Sequence, residues 1–267
     1  MTAVPSHSAP TTDKGNIVKD TRIGASKVPE VTLGFWLIKI LATTLGETGG
    51  DAVTMSMNLG YLIGTAIFAT IFIVAVVLEM QTRKFHPFLY WLVIVASTTV
   101  GTTLADFFDR SLGIGYLGGS LVLASLVALS LGIWYAAAGS VSVSTITSRK
   151  VEAFYWLTIT FSQTLGTALG DWMADSGLGY GGGALVFGAG LGLVACLYYR
   201  TSVSRTILFW AAFVLTRPLG ATVGDFFDKP LNQGGLALSR YTASVVLGLS
   251  IVALIALLPQ RANEQAA

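Results

Sequence analysis

Cysteine and histidine are almost missing from this chain. The single cysteine, Cys196, excludes an internal disulfide framework and any cysteine-cluster metal site. The two histidines, His7 and His86, fall in a polar tail and a loop, so the apolar segments carry no imidazole. Charge is scarce as well. Only 11% of the 267 residues are Asp, Glu, Lys or Arg, where soluble domains carry roughly 25%. Signatures of enzymes are missing too: no Walker loop, no H-E-x-x-H and no G-x-S-x-G elbow occurs. The run Gly181-Gly182-Gly183 has no strand before it and is not a phosphate cradle. The chain therefore reads as a non-enzyme with no permanently bound cofactor. Its net charge of +2 gives no reason to expect a nucleic-acid partner.

What remains is apolar: 53% of the residues are hydrophobic and 30 are glycine. Residues 1–30 are polar and hold no apolar stretch of their own, so they read as a disordered tail with no secretory signal. From Val31 onward the apolar runs reach roughly 20 residues, enough to cross ~30 Å of hydrocarbon at 1.5 Å per residue. They predict eight transmembrane helices near 32–51, 59–80, 88–107, 115–138, 152–173, 181–199, 206–226 and 236–258. An all-α integral membrane domain then covers 31–258, with a short tail at 259–267.

Within it one pattern recurs. Tryptophan is followed ten residues later by glycine and five after that by aspartate: Trp36–Gly46–Asp51, Trp91–Gly101–Asp106, Trp156–Gly166–Asp171 and Trp210–Gly220–Asp225. Identical spacing in four copies marks internal repeats, with bounds near 31–86, 87–149, 150–205 and 206–258. Two helices per repeat make all four parallel, related by an axis along the membrane normal. Copies two and four are closest, Asp106-Phe107-Phe108-Asp109-Arg110 against Asp225-Phe226-Phe227-Asp228-Lys229, which suggests a duplicated two-repeat unit. Basic residues gather between repeats (Arg83, Lys84, Arg149, Lys150, Arg200, Arg205) and at Arg261. By the positive-inside rule both termini are then cytoplasmic.

Four tandem repeats, each of two membrane segments with one tryptophan, resemble a bacterial polytopic membrane-protein family catalogued as a repeat of unknown function. The resemblance covers residues 31 to about 258 and implies this architecture. It implies no activity.

The carboxylates are the candidate site. Asp51, Asp106, Asp171 and Asp225 lie fifteen residues past the tryptophans, roughly 22 Å along a straight helix. Helper acids sit on the same faces: Glu47 four residues before Asp51, Asp109 and Asp228 at i+3, and Asp175 at i+4. The blander reading makes them helix caps or solvated ends, with Arg110 and Lys229 neutralising Asp109 and Asp228. Arg217 precedes Asp225 by two turns and Lys39 precedes Glu47 by two, so each is a counter-ion or gating candidate. Snorkelling to the membrane surface is the alternative for Lys39. Pro218 predicts a local break after Arg217. Gly46, Gly101, Gly166 and Gly220 serve helix packing or a hinge, and the tryptophans read as interfacial anchors. Carboxylate and hydroxyl oxygens suit a hard divalent cation, and Met55, Met57 and Met173 nearby tilt the reading to manganese. The function expected is ion-gradient-driven export of such a cation. The alternatives are a proton-coupled carrier of a small organic solute, or a non-transporting membrane scaffold or sensor. The partners are the lipid bilayer and a metal ion or small solute, and homo-oligomers remain open.

Overall fold

A computed structural model describes residues 26–82 and 84–263. Arg83, most of the polar tail and residues 264–267 lie outside the described residues. The chain runs through α1 (Leu33–Asp51), α2 (Gly60–Gln81), α3 (Pro87–Asp106), α4 (Tyr116–Ala138), α5 (Arg149–Met173), α6 (Gly179–Arg200), α7 (Arg205–Asp228) and α8 (Arg240–Leu257). Their ends follow local chemistry. Hydroxyls of Thr32, Ser148 and Ser239 cap α1, α5 and α8 by accepting from backbone N–H groups. Pro87 opens α3, where its missing donor costs nothing. Gly139, at φ +72°, closes α4 in the left-handed region.

Among the described residues, six helical stretches are long and apolar enough to cross a membrane. They are Gly60–Gln81, Pro87–Ser111, Tyr116–Ala138, Arg149–Arg200, Arg205–Asp228 and Arg240–Leu257. The fourth is α5 and α6 joined by a π-helical turn, in which Gly177 leaves helical geometry at φ +99°. Helix α1 is outside this set because Lys39, Thr43, Thr44, Glu47 and Thr48 dilute its apolar content. All five are buried against other helices.

The odd-numbered helices form the core. Helix α1 packs on α3, α3 on α5, α5 on α7 and α7 on α1, so the four close a ring. The even-numbered helices stand outside it, exposing Leu62, Leu121, Leu185 and Leu249. Each even helix packs on the odd helix of the next repeat: α2 on α3, α4 on α5, α6 on α7, and α8 back on α1. A repeat is therefore not a self-packed hairpin. The four copies interlock, and the last clasps the first.

The repeat glycines explain the close ring. A side chain at Gly46 would run into Thr98, at Gly101 into Gln163, at Gly166 into Arg217, and at Gly220 into Thr43. Each of these partners lies three residues before its own helix's glycine. The same contact thus recurs at all four interfaces, residue by residue. Association in lipid rests on such close packing, because apolar burial between helices gains little there.

At one end of the ring each odd helix contributes an aromatic pair: Phe35-Trp36, Tyr90-Trp91, Tyr155-Trp156 and Phe209-Trp210. Ring centroids 4.9–6.4 Å apart link Phe35, Trp91, Tyr90, Trp156, Tyr155, Trp210 and Phe209 into a closed circuit. Tyr90 and Tyr155 share a hydroxyl hydrogen bond of 2.6 Å. Trp91, Trp156 and Trp210 are buried. For these three the interfacial-anchor expectation is corrected: they pack on neighbouring Phe and Tyr rings and plug the ring, while Trp36 is half-buried.

Part of the polar tail is ordered at this Trp end. Pro29 bridges Ala262, and Glu30 N–H donates to the Arg261 carbonyl at 2.9 Å. Lys27 Nζ lies 2.9 Å from Glu152 Oε2 and donates to the Glu79 carbonyl at 3.1 Å, tying α5 to the end of α2. Residues 26–30 thus depart from the disordered reading, because the C-terminal segment supplies backbone partners.

Candidate functional site

At the other end of the ring lie the repeated aspartates, five residues past each glycine. The glycine contacts fix the register, and Asp51, Asp106, Asp171 and Asp225 are all buried, at 0–4% exposure. Two cations bind them in pairs. Arg110 Nε lies 2.8 Å from Asp106 Oδ1, and its Nη2 lies 3.4 Å from Asp171 Oδ2. Lys229 Nζ lies 2.6 Å from Asp51 Oδ2 and 2.9 Å from Asp225 Oδ1. Each cation follows its own aspartate by one helical turn, so it shares that face and reaches the next ring helix. Burial alone would push the Lys229 ammonium down, but Asp225 and Asp51 outweigh it and hold the proton more tightly than usual. Arg110 and Lys229 thus pair with the ring aspartates, where the blander reading gave them to Asp109 and Asp228. Only copies two and four supply these cations, which matches the pairing of those copies in the sequence.

One layer deeper, Arg217 crosses the ring. Its Nη2 donates to Glu47 Oε2 at 3.1 Å, to Thr102 Oγ1 at 2.5 Å and to Thr167 Oγ1. Thr102 Oγ1 also donates to Glu47 Oε2 at 3.2 Å. Glu47, Thr102 and Thr167 all sit one residue after a repeat glycine, so this layer repeats the ring geometry. Arg217 is fully buried. The expected pairing of Arg217 with Asp225 is corrected: Glu47 takes Arg217, and Lys229 takes Asp225. The break expected at Pro218 is also not found, since α7 runs unbroken from Arg205 to Asp228. Lys39 reaches no membrane surface. It is fully buried, and its Nζ lies 4.1 Å from the centre of the Phe213 ring.

The helper acids divide. Glu47 joins the centre. Asp228 is buried but pairs outward with Arg240 of α8, 2.8 Å away. Asp109 is half-buried and Asp175 exposed, both on the π-helical turns outside the ring. Of the methionines, Met57 is half exposed, and Met55 and Met173 are partly buried.

Glu47, Asp51 and Asp225 each offer a carboxylate oxygen within 4.8 Å of the others, and all three are buried. Asp51 Oδ1 and Asp106 Oδ2 accept no hydrogen bond among the described residues. Carboxylate oxygens left free at such depth are costly. Six buried carboxylates (Glu47, Asp51, Asp106, Asp171, Asp225, Asp228) face four cations (Arg110, Lys229, Arg217, Arg240), a formal excess of two negative charges. The three acids offer carboxylate oxygens, a ligand set for a hard cation, and Lys229 and Arg217 now hold them.

Sequence reasoning missed two features. The aromatic ring was visible as Phe or Tyr before every repeat tryptophan. The second is the π-helical turn that follows the aspartate region in copies one to three, at Ala52–Ser56, Phe107–Ser111 and Ala174–Leu178. Such wide turns often accompany functional sites, and no residue pattern distinguishes them from α-helix here.

A family model described as Repeat of Unknown Function (DUF347) matches the chain four times, over residues 34–85, 89–140, 154–204 and 208–260. No curated protein and no solved structure matches the chain.

Proposed function

The chain belongs to the family of the Repeat of Unknown Function (DUF347), and from that premise we propose that it is a membrane transporter of a hard divalent cation. Manganese is the favoured substrate. One observation carries the reading: carboxylate oxygens of Glu47, Asp51 and Asp225 within 4.8 Å of one another inside a helical bundle. Intramembrane carboxylates are expensive and mark pathways or sites. The formal excess of two negative charges matches one divalent ion.

In this reading α1 to α8 all cross a bacterial inner membrane. The Trp end and both termini face the cytoplasm, where the basic inter-repeat loops lie. The aromatic ring closes the cytoplasmic side, and the Arg217–Glu47 pair forms a second barrier beneath the acids. A cation reaching the cluster competes with Arg217 for Glu47. Release of Arg217 couples occupancy to movement of α7 against α1. Nothing in the sequence hydrolyses ATP, so an ion gradient supplies the energy.

Flux in proteoliposomes tests the proposal. Protein-dependent uptake of Mn²⁺ that Asp225→Asn abolishes supports it. Absence of flux across Mn²⁺, Mg²⁺ and Ca²⁺, tested under imposed proton and sodium gradients, rejects it.

A further inference from the structure

Helix α6 packs on α7 but stands off from α1. The cavity between them, about 800 Å³, is walled by α1, α6, α7 and the loop at 142–144. Along α7 it runs from Arg205 to Thr216, eleven residues and about 16 Å at 1.5 Å per residue. That is about half of the ~30 Å hydrocarbon core, the depth of one leaflet. The lining changes along this length. Inward stand Ile40, Leu191, Val194 and Ala212, with Thr216 buried at the α1–α7 seam. At the Trp end stand Arg205, Thr32, Ser142, Ser144 and Asn263, and among the described residues no acid lines the cavity. Arg205 is held in place there. Its guanidinium carbon lies 4.0 Å from the centre of the Tyr198 ring, and Nη1 donates to the Tyr198 carbonyl. That bond uses one of arginine's five N–H donors. Ser142 and Ser144 share one hydrogen bond of 2.9 Å, which uses one of their two hydroxyl protons. Trp36 also lines the cavity, and it is the one repeat tryptophan left half-buried.

We propose that this cavity binds an anionic phospholipid, its phosphate at Arg205 and one acyl chain lying between α6 and α1 towards Thr216. Charge complementarity selects the headgroup. The lining holds one cation and no acid, so a phosphate gains a charged partner while a choline or ethanolamine ammonium gains none. Basic pockets between membrane helices recognise anionic headgroups on this principle. The serine hydroxyls and the Asn263 amide add donors and acceptors for a hydroxyl-bearing headgroup. Trp36 then sits at headgroup level, where indole rings prefer to lie. Its departure from the other three tryptophans follows from that place. Because Ile40 and Thr216 belong to ring helices, the chain reaches the α1–α7 seam, unlike lipid on the outer faces of α2 and α4. The site rests on α6 and α7 lying in lipid and not on cation transport, so each proposal can fail alone.

The test uses the full chain in detergent, titrated with phosphatidylglycerol or phosphatidylcholine in mixed micelles. Binding to the folded state raises the unfolding midpoint saturably. Native mass spectrometry is expected to retain one phosphatidylglycerol per chain, and phosphatidylcholine is expected to give a smaller rise. Arg205→Gln is expected to need about tenfold more phosphatidylglycerol for half the rise, the loss of a hydrogen bond to a charged group. Lys150→Gln removes an exposed charge at the same end but outside the cavity, and is expected to respond as the native chain does. Ala195→Phe fills an exposed position of the lining, so it is expected to fold and to lose the retained lipid. Glycerol phosphate, the headgroup without chains, is expected to give no rise. Equal responses to the two lipids, equal losses in Arg205→Gln and Lys150→Gln, or a full rise from glycerol phosphate overturns the site. Should Arg205→Gln not fold, native-level retention of phosphatidylglycerol by Ala195→Phe overturns it equally.

Discussion

Arg217 of α7 and Glu47 of α1 meet across the ring, Nη2 to Oε2 at 3.1 Å, with both side chains withdrawn from the surface. Such a pair is weak evidence of stability, but breaking it on one side strands a buried charge. Glu47→Gln is expected to destabilise the protein by about 3–5 kcal/mol, and the double variant Glu47→Gln/Arg217→Met by much less. Unfolding in detergent measures both. Equal losses in the single and double variants would mean that the two residues act independently.

The glycine contacts make a second prediction. A side chain at Gly101 would lie 2.9 Å from the carbonyl carbon of Gln163, a backbone atom that cannot turn aside. Gly101→Ala is expected to cost about 1–3 kcal/mol through overpacking. Gly132 and Gly188, on the outer helices, meet nothing within 4 Å. Gly132→Ala and Gly188→Ala are expected to be neutral or to stabilise by about 0.5–1 kcal/mol. Thermal unfolding of the three variants checks this, and a similar loss in all three would remove the ring glycines' special role.

Some of this was legible in the sequence and some was not, for physical reasons. Equal spacing of Trp, Gly and Asp announced four equivalent helices, and the glycines' role in packing followed from their size. That Asp51 and Asp225 stand close together follows from the same register. The ion pairs did not follow. Periodicity relates residues on one helix, and it offered Asp225 to Arg217, whereas the partner Glu47 comes from another helix. The tryptophans misled because their preference for membrane interfaces presumes an open helix end. Here Phe35, Tyr90, Tyr155 and Phe209 supply aromatic neighbours, and three of the four tryptophans are buried. The clasp of each even helix on the next repeat was invisible as well, since helices such as α2 and α4 are apolar all round and show no preferred face.

The hydroxyl pair in the aromatic plug yields a third prediction. Tyr90 and Tyr155 are both buried, with oxygens 2.6 Å apart. Tyr90→Phe strands the Tyr155 hydroxyl and is expected to cost about 1–3 kcal/mol. Tyr90→Phe/Tyr155→Phe is expected to recover most of that, since both polar groups are gone. Unfolding midpoints of the two variants decide it, and a double variant weaker than the single would contradict the pairing.

Topology is testable without activity. Lys84 lies between α2 and α3 at the Trp end, and Ser111 closes the π-helical turn at the Asp end. Reporter fusions after Lys84 and after Ser111 are expected to read cytoplasmic and periplasmic respectively. The same side for both would contradict the proposed crossings.

Direct binding bears most closely on the central claim, that the buried carboxylates take a hard divalent cation. Calorimetric titration of Mn²⁺ into the native chain and into Asp225→Asn, both shown to be helical and monodisperse, isolates the cluster from any question of flux. The account predicts one saturable site per chain in the native protein and a loss of at least about tenfold in affinity in the variant, from removal of one charged ligand. Equal affinity in the two proteins, or no saturable site in the native chain, would contradict it.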